Sequence, residues 1–144
     1  MLTRITLRLI VMIGALGCAG VALGQDSVHE YFNDTALKVK ATESPVQKRE
    51  ILSKSLVDMT KALDTVKSAP LTSEQDDAKL DRIKVTLQEK SDELAGTNGF
   101  DRVPDDQLNA FSTYIVQDME QADKSVTISL VAALLIVIII ILLV

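Results

Sequence analysis

Cysteine and histidine are nearly absent from this chain, with one of each in 144 residues. Cys18 lies inside a hydrophobic N-terminal segment with the features of a signal peptide. If that segment is cleaved after Gly24, the remaining chain has no cysteine. That excludes a disulfide framework and a thiolate nucleophile, so the folded part must be held by packing alone. His29 is followed by Glu30 but by no second histidine four residues on, so the helical zinc-protease motif is missing. A lone histidine on the first turn of a helix reads as a surface residue. With no nucleophile and base to pair, the sequence points to no catalytic residue, no metal site, no cofactor and no small-molecule substrate.

Charge is missing from one long stretch. Residues 126–144 read VTISLVAALLIVIIIILLV, nineteen residues without a charge, a glycine or a proline. As a helix at ~1.5 Å per residue they would extend ~28 Å, against a hydrocarbon core of ~30 Å, so a C-terminal transmembrane helix is expected. Ser129 and Ala133 form a small pair four apart, the spacing that lets two membrane helices approach closely. No Lys or Arg follows the run, so orientation rests on the N-terminal arginines. A tail removed in favour of a lipid anchor would need a small-residue site and an uncharged polar spacer of ~8–12 residues. Ala122 and Ser125 leave a spacer that is charged or too short.

At the other end, Arg4 and Arg8 precede an apolar run and an Ala22-Leu23-Gly24 site, the order of a secretory signal peptide over 1–24. Two other readings compete: retention as a membrane helix, which four glycines weaken, and lipidation at Cys18, for which Ala15 stands where Leu is usual. The two arginines removed leave 13 Lys and Arg against 20 Asp and Glu, a formal charge of −7. An acidic chain is repelled by phosphate, which disfavours nucleic acid as a partner. The polar middle, 25–125, is therefore expected outside the cytoplasm, periplasmic or at the cell surface.

That middle reads as helix throughout. Ser27-x-x-Glu30, Ser44-x-x-Gln47 and Thr72-x-x-Gln75 have the capping-box pattern, and Pro45 suits a first helical turn. A helix over 45–68 places Leu52, Leu56, Met59, Leu63 and Val66 at spacings of four, three, four and three. The next, over 73–95, repeats the seam with Leu80, Ile83, Leu87 and Leu94, interrupted at Lys90 and Ser91. Gly96 and Asn98-Gly99 should end it. Two helices of this length on a short turn pack antiparallel. A first helix over 27–40 offers Val28, Tyr31, Phe32, Thr35 and Val39. A fourth, from about Asp105, offers Leu108, Phe111, Ile115, Met119 and Ala122, and no glycine or proline separates it from the tail.

The expected fold is therefore all-α: a small three- to four-helix bundle around an antiparallel helical hairpin, with the last helix continuing into the transmembrane segment. Asp76-Asp77 and Asp105-Asp106 open helices, where the backbone dipole favours negative charge. Residues 96–101 lack the ligand spacing of a calcium loop, and Asn33-Asp34-Thr35 is a glycosylation sequon inside a helix. The expected role is a membrane-anchored interaction or scaffold module, with the bilayer and a protein partner or second copy as its contacts. The expected interaction residues are Leu87 and Leu94 on the hairpin, and Ser129 and Ala133 in the span. The alternative is a ligand-sensing bundle that signals through a membrane partner.

Overall fold

The computed structural model describes residues 27–125 and 128–143. The expected signal peptide, 1–24 with Cys18, lies outside them. The described residues form α1 (Ser27–Ala41), α2 (Pro45–Ser68), α3 (Glu74–Ala95), a 3₁₀ turn (Asp105–Gln107), α4 (Leu108–Ser125) and α5 (Leu130–Leu143). There is no strand among them.

The hairpin of α2 and α3 is antiparallel, as the cross-helix ion pairs show. Lys67 Nζ lies 2.7 Å from Asp81, and Lys84 pairs with Asp64. The expected seams are the core: Leu52, Leu56, Met59, Leu63 and Val66 face inward with Leu80, Ile83, Leu87 and Leu94, all nearly inaccessible. Ser44 caps α2 as expected, accepting from Gln47 N at 3.4 Å, with Pro45 at the first position. The cap of α3 falls one residue later than expected. Ser73, not Thr72, accepts from Asp76 N at 3.1 Å, and Thr72 instead donates to Ala69 O in the turn. Gly96 ends α3 in the left-handed region at φ 73. A Cβ there would lie 2.6 Å from Arg102 Cβ, so only glycine fits the turn.

Helix α1 packs on α4 and α2, and α4 closes the ring against α3. Buried Thr35 donates to the Ser55 hydroxyl at 3.3 Å, which joins α1 to α2 without leaving a polar atom alone. The break in the α3 seam is filled rather than left open. Lys90 is buried with its Nζ 2.8 Å from both Glu93 and Asp118, and 3.8 Å from the Tyr114 ring centroid. Burial pushes Lys90 down, but hydrogen bonds with Asp118, Glu93 and Tyr114 outweigh this and hold it charged, above the ordinary lysine range.

One expectation is corrected here. The fourth helix does not run on to the terminus: α4 stops at Ser125, and Ile128 and Ser129 are not helical. The tail then forms a separate helix, α5, which packs on α2 and α1 of its own bundle. No described helix is long and apolar enough to cross a membrane. In α5 it is length that falls short, since fourteen residues rise only ~21 Å.

Arg49, which helical periodicity does not single out, fixes the far end of the hairpin. Its guanidinium donates to Leu94 O and Val103 O at 2.7 Å and to Asp105 at 2.8 Å, tying α2 to the end of α3 and to the loop before α4. Charged hydrogen bonds to half-buried acceptors are worth ~1.5–3 kcal/mol each, and not all of that is recovered when water replaces the donor. Arg49→Ala should therefore lower unfolding free energy by about 2–4 kcal/mol. Glu89→Ala, at an exposed position, should stay within ~0.5 kcal/mol. Denaturant melts of the two variants check this; equal midpoints would mean that Arg49 does not hold the loop.

Candidate functional site: the apolar helix and its seat

The most unusual surface of the molecule belongs to α5. Its sequence, LVAALLIVIIIILL, contains no polar residue. One face is seated on the bundle, where Ala132, Ala133 and Ile136 are 0%, 3% and 1% exposed. Ile128, Leu135, Ile139 and Ile140 pack beside them, half-buried against the core. Alanine at two adjacent inner positions brings the α5 backbone close to its neighbours, as small residues do wherever helices meet tightly. The opposite face is open. Val131, Leu134, Ile138, Ile141, Leu142 and Leu143 are all exposed, Leu142 by 73%.

The start of α5 is held by a carboxylate from another element. Ser129 N donates to Asp76 Oδ1 at 3.0 Å, and Ser129 Oγ in turn accepts from Ala132 N at 3.3 Å. Ala133 N donates to Ser129 O at 3.0 Å, so Ser129 is the N-cap of α5. Asp76 is buried at the first turn of α3, with Lys79 Nζ 3.9 Å away. Burial pushes its carboxyl up, but hydrogen bonds from Ser129 and Ser73 outweigh that and hold it below the usual aspartate value. The Asp76-Asp77 pair was expected to serve the α3 dipole alone. One of its members also ties α3 to the tail.

The four residues singled out in the sequence are thus placed apart. Ser129 and Ala133 are the cap and the inner face of α5. Leu87 and Leu94 are core residues, 0% and 3% exposed, at the middle and far end of α3. The exposed aliphatic stripe lies on α5. What the Leu94 end does carry is a cleft of about 410 Å³ lined by Arg49, Ser53, Ser91, Asp92 and Arg102. Arg49 is already committed to three acceptors, and Asp92 accepts from Gln88 and Thr97. Among the described residues, no three His, Cys, Asp or Glu side chains converge as a metal site.

Because the folded state lowers the Asp76 pKa, its contribution is present above the ordinary value of 3.8 and is lost as pH falls through the lower folded value. Asp76→Asn removes the charge but keeps the shape, and should cost about 1–3 kcal/mol at neutral pH. The gap between wild type and variant should narrow as pH drops from about 5 to about 2.5. Thermal melts across that range measure it, and a constant gap would show that the ionised form is not what the cap uses.

Compared with protein-family models, with curated proteins and with solved structures, the chain matches none.

Proposed function

We propose that this chain is a non-catalytic interaction or scaffold module: an acidic helical bundle attached to a membrane through its C-terminal apolar segment, with the polar domain outside the cytoplasm. The observation that carries the reading is the open face of α5, a run of large aliphatic side chains facing outward on a helix with no polar residue. Such a contiguous apolar surface is costly in water and marks a site that meets lipid or protein. The composition of 126–144 favours lipid. Nineteen uncharged residues are enough for a span once the segment is helical throughout. The basic, apolar and small-residue order of 1–24 supports export of the domain. A lone histidine and a cysteine-free chain after Gly24 support a role without catalysis.

The cleft at the Leu94 end favours a second reading, a ligand-sensing bundle. Arg102 and the hydroxyls of Ser53, Ser91 and Thr97 line a space large enough for a small anion, beside the carboxylate of Asp92. A reproducible rise in melting temperature with inorganic phosphate or a small carboxylate, abolished by Arg102→Ala, would establish that reading.

For the leading proposal, the expressed chain should sediment with membranes and remain there through high salt and alkaline carbonate. Its intact mass should correspond to a start near Gln25, and deletion of 126–144 should release a folded helical domain. Recovery of the undeleted chain in the carbonate supernatant would overturn the membrane attachment. The same domain should be cross-linked to a protein partner or a second copy in membranes. Cross-linking that finds only the monomer would overturn the scaffold role.

A further inference from the structure

We propose that α5 has two positions, seated on α1 and α2 as in this structure and inserted in a bilayer as part of a longer helix, and that the Ser129 amide is the switch between them. The inference rests on the membrane reading above and concerns how that attachment is controlled.

The two positions compete for one hydrogen-bond donor. In the seated state Ser129 N donates to Asp76 Oδ1, and the helix begins only after Ser129. A helix extended back through 126–129 would instead direct that N–H to the carbonyl four residues earlier, in the α-helical pattern. The Asp76 bond thus limits α5 to fourteen residues, ~21 Å and short of a span. Breaking it is required for the full nineteen-residue run to reach ~28 Å. In lipid every backbone group must also be satisfied internally, so the bond to Asp76 and the extended membrane helix exclude each other.

The side chains are divided in the same way. Ala132, Ala133 and Ile136 are satisfied by the bundle, while Val131, Leu134, Ile138 and Ile141, at spacings of three, four and three, form one stripe that the bundle leaves uncovered. The seat covers one face and a bilayer covers all of them. What holds the seat is the fit of the small inner face and the buried carboxylate, and both can be altered without making the segment less apolar.

The test uses the full chain, purified without lipid and mixed with phosphatidylcholine vesicles, with the floated fraction and protection of 128–143 from added protease as readouts. Ala133→Leu places bulk where the inner face is 3% exposed, yet suits lipid at least as well as alanine. Asp76→Asn weakens the bond to Ser129 and leaves the tail untouched. Both should raise the floated, protected fraction roughly five-fold or more over wild type, with helical circular dichroism retained. If Ala133→Leu fails to fold, Asp76→Asn decides alone. Wild type that floats with variants unchanged or reduced would overturn the two positions while leaving the membrane reading intact. Wild type and variants that all fail to float would overturn the membrane reading, and the switch with it.

Discussion

A helix with no polar residue cannot be satisfied by contact on one side, and the way α5 sits on its bundle follows from that constraint. Helix α5 seats three small or medium side chains on its own bundle and leaves six large aliphatic ones exposed. Each half-exposed Leu, Ile or Val forgoes ~1 kcal/mol of burial, on the order of 5–10 kcal/mol for the face as a whole. Against this stand the cap at Ser129, worth ~1–3 kcal/mol through Asp76, and the close packing of Ala132 and Ala133. The exposed face and the seat thus pull in opposite directions. An arrangement balanced in this way is sensitive to what surrounds it, water or lipid.

The bundle that carries the seat is held differently, by a continuous apolar seam and a few buried polar ties. Thr35 to Ser55 sets α1 on α2, Lys90 between Glu93 and Asp118 sets α3 on α4, and Arg49 sets the loop before α4 on the hairpin. Buried ion pairs add little net stability over apolar replacements, because desolvation offsets attraction, but breaking one leaves an uncompensated charge. Lys90 therefore acts on register. With its carboxylates on two helices, a shift of α4 against α3 would strand the ammonium. The α2 and α3 seams close on each other and on α1 and α4, and Ala132 and Ile136 of α5 join the same apolar core.

The hairpin was legible in the sequence because its information is periodic and local. The spacing of Leu52 to Val66 and of Leu80 to Leu94, Pro45 after Ser44 and Gly96 at the turn each dictate one feature without reference to the rest of the chain. Lys90 looked like an interruption because its partner Asp118 and the Tyr114 ring sit on another helix. Arg49 was invisible because two of its acceptors are backbone carbonyls, which sequence does not mark. The break before α5 was missed for want of glycine or proline, yet a weaker signal was present. Val126, Thr127, Ile128 and Ser129 are β-branched or cap-forming residues that disfavour helix interiors. That Ser129 becomes a cap depends on Asp76, which is distant in sequence and adjacent in space.

The charge pattern bears on the character of the proposed membrane contact. Segments that hold firmly to anionic leaflets combine an apolar face with several flanking Lys or Arg, each adding attraction near the surface. Here residues 126–144 contain no Lys or Arg, and Lys124, just before them, is paired with Glu120 at 2.7 Å. The bundle behind them is acidic, so anionic headgroups repel it. The proposed attachment then draws on the apolar area of 126–144, a stretch that supplies no electrostatic steering toward the surface. That is consistent with a segment whose first stop is its own bundle, since a tail that lipid does not attract from a distance needs somewhere to shelter its inner face until contact is made. The same absence of cations spares α5 the cost of dehydrating charge when it leaves the seat, so the amide of Ser129 and its bond to Asp76 become the principal polar obstacle to moving from one position to the other.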